Sequence, residues 1–183
     1  MTYKLSHRRI NQALAVTVII LGVYLVFVPL IPKASQKLKA APDASQILAN
    51  PPAQNRVIIK SAKINTAIVE GSDISVIDNG NVWRRPATSS DPRVSNMVIV
   101  GHNFTYRDPT PPFYSLGEVK ENDTINLWWQ GQLYSYKVIS NQIVLPTAVE
   151  VEEPTPKPTL TLYTCYPLFI ANQRQVIQAE LEL

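Results

Sequence analysis

Between Arg9 and Lys33 the chain carries no charged residue, and within that interval Ala13–Ile31 reads ALAVTVIILGVYLVFVPLI, 19 almost wholly apolar residues. At about 1.5 Å per residue, a helix of this length measures about 30 Å, the hydrocarbon thickness of a bilayer. A helix buried in a soluble core would keep a polar stripe for its outer face. This segment has none, and it reads as a membrane span. A cleaved signal peptide would have a shorter apolar stretch, about 7–15 residues, followed by a small-residue cleavage site. Here the run is longer and continues into Pro29 and Pro32, so a retained anchor is expected. Basic residues flank it evenly, with Lys4, Arg8 and Arg9 before it and Lys33, Lys37 and Lys39 after it. The Arg-Arg pair beside a short N-terminal tail places that tail, with His7, in the cytosol and the C-terminal domain outside.

Charge follows the same division. The sequence pI is near 9.0 and the net charge +3, values that would suggest nucleic-acid binding if the charge were spread over a domain. Residues 1–43 carry +5, however, and residues 44–183 carry −2. The basic character belongs to the membrane end, and no nucleic-acid partner is expected. The expected organisation is a cytoplasmic tail over 1–12, a transmembrane anchor over 13–31, a linker over 32–55 and a folded domain over 56–183. The linker is rich in Ala, Pro, Ser, Gln and Lys, with a short helix expected around Ser45–Ala49.

Beyond Arg56 the pattern is one of short strands. Val57–Lys60 and Ile64–Val69 are β-branched runs across a small polar turn, and Met97–Val100 is a short apolar run. Thr124–Trp129 and Leu133–Ile139 flank Gln130-Gly131-Gln132, which reads as a hairpin. Leu160–Thr164 and an alternating Gln175–Leu183 complete the set. The proline-rich stretches Pro109–Pro112 and Pro154–Pro158 must be loops. Seven or eight strands without a long amphipathic helix point to an all-β, closed or nearly closed barrel of about 130 residues.

Chemistry has few places to reside. A single cysteine, Cys165, excludes an internal disulfide and a Cys-rich zinc site, and two distant histidines, His7 and His102, exclude an HExxH-type metal site. Taken singly, Cys165 is a small hydrophobe, His102 a turn residue and Arg174 a surface charge. Together they have a pattern: Cys165 closes the run beginning at Thr159, His102 closes the run beginning at Met97, and Arg174 stands just before the last strand. Strand ends gather on the rim of a barrel, where residues distant in sequence can meet. A thiol of ordinary pKa about 8.5 is mostly protonated near neutrality, and a neighbouring imidazolium or guanidinium favours the thiolate. The imidazole can then serve as general acid and base, and the guanidinium can hold an oxyanion, a sufficient set for acyl transfer.

These residues resemble the sortase family. Thr161-Leu162-Tyr163-Thr164-Cys165, with Arg174 nine positions beyond the cysteine, is similar to the TLxTC signature and its downstream arginine. Ser95–His102 is similar to the strand leading into the sortase histidine, and the likeness extends over roughly 56–183 through Val82–Pro86, Phe113–Leu116 and Tyr134–Val138. The resemblance implies an eight-stranded β-barrel behind an N-terminal anchor, and a membrane-tethered extracytoplasmic cysteine transpeptidase without a cofactor. It implies Cys165 as acyl-forming nucleophile, His102 as general acid and base, Arg174 as substrate clamp, and Thr164 as a residue that helps hold oxyanion or substrate. The implied partners are secreted proteins with a C-terminal sorting signal of the LPxTG or LAxTG kind and an amine acceptor, either a cell-wall precursor or a pilin lysine. Ile143, Val144 and Leu145 are candidates for the apolar wall of the signal groove.

Within the family, Cys-Tyr-Pro-Leu after the nucleophile resembles classes D and E more than class A. Asp91-Pro92-Arg93 lacks the aromatic residue of a pilin-type lid. Glu150, Glu152 and Glu153 lie where calcium-binding sortases cluster acids, but among prolines they read as a solvated loop, and no metal site is expected. A papain-like enzyme would place Cys before His, and an L,D-transpeptidase would place Gly directly before the cysteine, where this chain has Thr164. The alternative that the sequence leaves open is a membrane-tethered binding domain of the same fold without turnover.

Overall fold

The structure is a computed structural model that describes residues 7–27, 41–105 and 111–182. Helix α1, His7–Phe27, covers most of the expected span. Arg8–Phe27 has a mean hydropathy of 2.2 and no part of it is buried against protein, so it is long and apolar enough to cross a membrane. Residues 28–31 of the expected span, 32–40 of the expected linker, Pro109 and Thr110 of the first proline-rich stretch, and Leu183 lie outside the described residues.

Eight strands close into a barrel. They are β1 (Arg56–Ile59), β2 (Ile64–Val69), β3 (Val82–Arg84), β4 (Asn96–Val100), β5 (Thr124–Trp129), β6 (Gln132–Val144), β7 (Thr159–Tyr166) and β8 (Gln173–Leu181). Round the barrel the order is β1-β2-β3-β4-β7-β8-β6-β5, with β5 returning to β1. The pairs β2–β3 and β4–β7 are parallel and the rest antiparallel. Closure removes both sheet edges, so every strand is paired on two sides. Gln130 and Gly131 turn the β5–β6 hairpin with φ of 49° and 80°, the two positive values that a two-residue turn of matching twist requires.

Two strands differ from the sequence reading. β3 is only three residues long, too short for any period to show, and is held by parallel pairing to β2 and antiparallel pairing to β4. β6 does not stop at Ile139 but runs on to Val144 through an irregularity between Val138 and Ser140, where the register on β8 shifts by one residue. The extra residue breaks the alternation that marks a strand in sequence, which is why its second half was not legible.

The barrel interior is filled by alternate residues of these strands, among them Val57, Ile59, Met97, Ile99, Leu127, Trp129, Tyr136, Leu160, Leu162 and Ile177, all essentially inaccessible to water. Each such aliphatic side chain contributes about 1.5–3 kcal/mol of burial, so the strand ends are carried on a stiff platform. Two patches of the outer face are also covered. Within the stretch read as linker, α2 (Ala44–Ala49) starts at a capping box between Asp43 and Gln46 and lays Ile47, 2% exposed, against Ile58 and Trp128. On the opposite flank a 3-10 helix, Ile74–Asn79, packs Ile77 against Trp83, Val98 and Val100. In Asp91-Pro92-Arg93, Pro92 is buried against the barrel while the two charged residues face solvent. Asp91 pairs with Arg93, and the Pro92 carbonyl accepts the buried Tyr136 hydroxyl at 2.7 Å.

Candidate active site

Strand register places the three candidate residues. In the antiparallel pair β7–β8, Cys165 stands directly opposite Arg174, and in β6–β8 Arg174 stands opposite Val144. Directly opposed side chains share a face, with Cβ atoms about 4.5–5.5 Å apart. On the other side of β7, the last parallel pair with β4 is Val100–Tyr163, and two residues further along each strand stand His102 and Cys165. Cys165, Arg174 and Val144 therefore form one row across β7, β8 and β6, and His102 continues it just past the end of β4. It lies on the face turned away from the barrel interior, since Val100 and Tyr163 belong to the outer cluster while Ile99 and Leu162 belong to the inner one. The sequence placed these residues on a rim; they occupy the outer face at the strand ends.

The histidine end of the row is tied down by side chains. The Thr164 hydroxyl donates to the Gly101 carbonyl at 2.8 Å, and the Asn103 amide donates to the Cys165 carbonyl at 2.8 Å. Phe113, fully buried, donates its backbone N–H to the His102 carbonyl at 3.1 Å. Gly101 is required by close approach, because a Cβ there would lie 2.7 Å from Val82 and 3.0 Å from Phe113. The ring Nε2 of His102 lies 3.1 Å from Oδ1 of Asp78, on the 3-10 helix. That contact engages Nε2 and leaves Nδ1 as the ring's other nitrogen.

Thr164 faces inward, is 3% exposed, and has given its only hydroxyl proton to Gly101, so it has none for an oxyanion. Its place is to hold the strand that ends in His102. Cys165 is exposed and free. The Arg174 guanidinium donates to the carbonyls of Ala171 and Gln173 at 3.2 and 2.9 Å.

One cavity is lined by the thiol and a second by Arg174. One, of about 380 Å³, is lined by His102, Asn103, Phe104, Cys165 and the apolar turn Pro167–Phe169, with the Phe104 and Phe169 rings edge to face at 4.9 Å. The other, of about 270 Å³, lies on the arginine side and is lined by Arg174, Val144, Leu145, Pro146, Ala148 and Val149 above Arg85, Glu152 and Tyr163. Of the three candidates for an apolar groove wall, Val144 and Leu145 line this cavity, whereas Ile143 borders a different one with Gln175 and Gly117. The alternation of β6 turns Ile143 away. Among the described residues no group of three or more His, Cys, Asp or Glu side chains converges as metal ligands. Glu152 accepts instead from Arg85 and Tyr163, at 3.0 and 2.5 Å.

Asp78 and Asn103 were not singled out in the sequence. Asn103 follows the histidine directly, which is the one signal it offers; Asp78 lies in the short Ile74–Asn79 stretch with no signal of its own.

The family model for the sortase domain matches residues 57–182. The chain belongs to the sortase family. Solved sortases share the fold of this one. Sortase A from Listeria monocytogenes aligns with a TM-score of 0.63 at 25% identity, covering 70% of this chain and 86% of that one. Sortase A from Corynebacterium diphtheriae aligns with a TM-score of 0.64 at 24% identity over 72% of this chain, which spans 61% of that protein's length. A Clostridium perfringens sortase D5 transpeptidase aligns with a TM-score of 0.62 at 20% identity, covering 76% and 86% of the two chains. Sortases of classes C and E match at 0.64 and 0.59, so the barrel is common to the classes and does not separate them. No curated protein sequence matches this sortase.

Proposed function

We propose that this sortase is a membrane-anchored, extracytoplasmic cysteine transpeptidase that cleaves an LPxTG- or LAxTG-like sorting signal and joins the new carboxyl end to an amine at the cell surface. The observation that carries the reading is the exposed Cys165 thiol opposite Arg174 in the β7–β8 ladder, lining one cavity with His102, which follows the end of β4. A Clostridium perfringens sortase C of the same fold, 22% identical, has been solved with its C-terminal cell wall sorting motif, which supports a peptide substrate of this kind. Helix α1 supplies the anchor.

The signal lies over the arginine-side cavity, its apolar residue against Val144, Leu145 and Val149. The Cys165 thiolate attacks the threonine carbonyl carbon, and the guanidinium of Arg174 holds the oxygen as it becomes negative. As the tetrahedral species collapses, the C–N bond breaks and imidazolium His102 gives its proton to the departing glycine amine, leaving a thioester. Neutral His102 then takes a proton from the acceptor amine as that nitrogen attacks the thioester, and the cysteine leaves as thiolate. Water in place of the amine yields a free carboxylate. Asp78 holds the imidazole, and Thr164 and Asn103 keep its strand beside the thiol.

The test uses the full-length protein in detergent micelles with quenched LPxTG and LAxTG peptides, with and without an added primary amine. Cleavage that the amine accelerates, and that disappears in Cys165→Ala, is expected. Undiminished cleavage in Cys165→Ala overturns the mechanism, and binding of the peptides without any cleavage by the wild type favours the binding-only alternative.

A further inference from the structure

The cavity beside Arg174 holds a carboxylate that ought to compete for it. Glu152 and Arg174 line the same space of about 270 Å³, together with Arg85 and Tyr163. A guanidinium and a carboxylate in one small, partly buried cavity ordinarily pair through two parallel N–H···O bonds. Here they do not. Among the described residues no salt bridge reaches Arg174, whose Nη1 is spent on the backbone carbonyls of Ala171 and Gln173.

Both Glu152 oxygens are already engaged. Arg85 donates from Nε to Oε2 at 3.0 Å, and the Tyr163 hydroxyl donates to Oε1 at 2.5 Å. Burial, with the adjoining carboxylate, pushes the Tyr163 phenol well above its ordinary pKa, so it remains a proton donor. Arg85 is itself fixed from two sides. Its backbone N–H donates to the Val98 carbonyl at 2.9 Å, and its guanidinium lies over the Trp83 ring at 5.0 Å from the centroid.

We propose that Arg85 is a positioning residue that sequesters Glu152, and so keeps the Arg174 guanidinium open for the oxygen of the substrate. The inference rests on the assignment of Arg174 as the substrate-facing guanidinium. Without Arg85, one oxygen of Glu152 is left unpaired in a cavity whose remaining cation is Arg174. The carboxylate then occupies the guanidinium, and the enzyme inhibits itself.

Steady-state cleavage of the signal peptide by the full-length protein in micelles, run from low to high potassium chloride, tests this. Arg85→Gln is expected to lose about tenfold in kcat/KM. Glu152→Gln loses less, about two- to threefold, and the double variant Arg85→Gln/Glu152→Gln returns to the level of Glu152→Gln, because the competing charge is gone. Arg85→Lys keeps a cation beside Glu152 and is expected to fall less than Arg85→Gln. In Arg85→Gln, added salt is expected to recover activity by weakening the misdirected pair, while wild type shows no such recovery. A merely structural clasp would make the double variant at least as poor as the worse single one and leave the salt response unchanged; either result overturns the inference. Arg174→Ala is run alongside. If it retains wild-type turnover, the assignment of Arg174 fails and this inference with it. If Arg174→Ala is inactive and the double variant shows no recovery, the sequestering role alone is overturned.

Discussion

Arg174 and His102 flank the same thiol, but different kinds of structure deliver them. Arg174 is placed by ladder register, inside an antiparallel pairing that runs without interruption from Thr159–Glu180 to Tyr166–Gln173. A slip of one residue would turn it to the wrong face and carry the whole interior set of β8 out of the core, so the barrel's packing enforces the position. His102 lies beyond the last ladder pair of β4 and is placed by individual contacts: a threonine hydroxyl on Gly101, an asparagine amide on Cys165, and a carboxylate on the ring. The arginine side is backed by the cooperative stability of the sheet. The histidine side rests on a handful of bonds, each worth about 0.5–1.5 kcal/mol.

That asymmetry can be broken or sharpened by substitution. The largest effect is expected at the point both sides share: Cys165→Ala should abolish thioester formation, with cleavage falling by more than about 10³-fold. Next come the two flanks, His102→Ala and Arg174→Ala, each expected to lose about 10²–10⁴-fold in kcat/KM. Their signatures should differ. Loss of His102 should slow both cleavage and the step to the amine acceptor, the second read by product partition between transpeptidation and hydrolysis, while loss of Arg174 should weaken cleavage with less change in that partition.

Gly101→Ala should then separate the two sides. Its added methyl meets Val82 and Phe113 inside van der Waals contact, which should cost about 1–3 kcal/mol, lower the melting temperature by several degrees and displace His102 while leaving Arg174 in register. Thr164→Val removes a buried bond without opening a void and should cost about 1–2 kcal/mol and about tenfold in activity, again on the acceptor step. The smallest effects should come from Asp78→Asn and Asn103→Ala, about two- to fivefold each, since both contacts are solvent-exposed. An activity loss in Asp78→Asn as deep as that of His102→Ala would show that the exposed carboxylate, not the strand, sets the imidazole.

Legibility follows the same line. β2 and β5 were readable to their end residues because each is a short β-branched or aromatic run bounded by turns, and the β5–β6 hairpin because Gln130-Gly131 accommodates two positive φ values. β3 and the far half of β6 were not, one for want of length and the other because a register shift interrupts the alternation. Of the three candidates for a groove wall, Val144 and Leu145 line the cavity beside Arg174 and Ile143 another, because direct neighbours in sequence say nothing of face until the strand is known. The part given to Thr164 came from the family resemblance; what only the strand shows is that its side chain, next to the thiol in sequence, points to the opposite side.

What the sequence determined by itself was the inventory: one thiol, one imidazole outside the apolar segment's leading end, a guanidinium nine residues past the thiol, an apolar segment of bilayer length and enough alternating strands for a barrel. Those are local properties of composition and spacing. The tertiary structure alone decided which side chains share a row, that Thr164 turns inward, that Asp78 meets the imidazole, and that Glu152 is held by Arg85 and Tyr163. Each of these depends on register and closure between strands distant in the chain, which are set by how the whole barrel packs and have no signature in any short stretch of it.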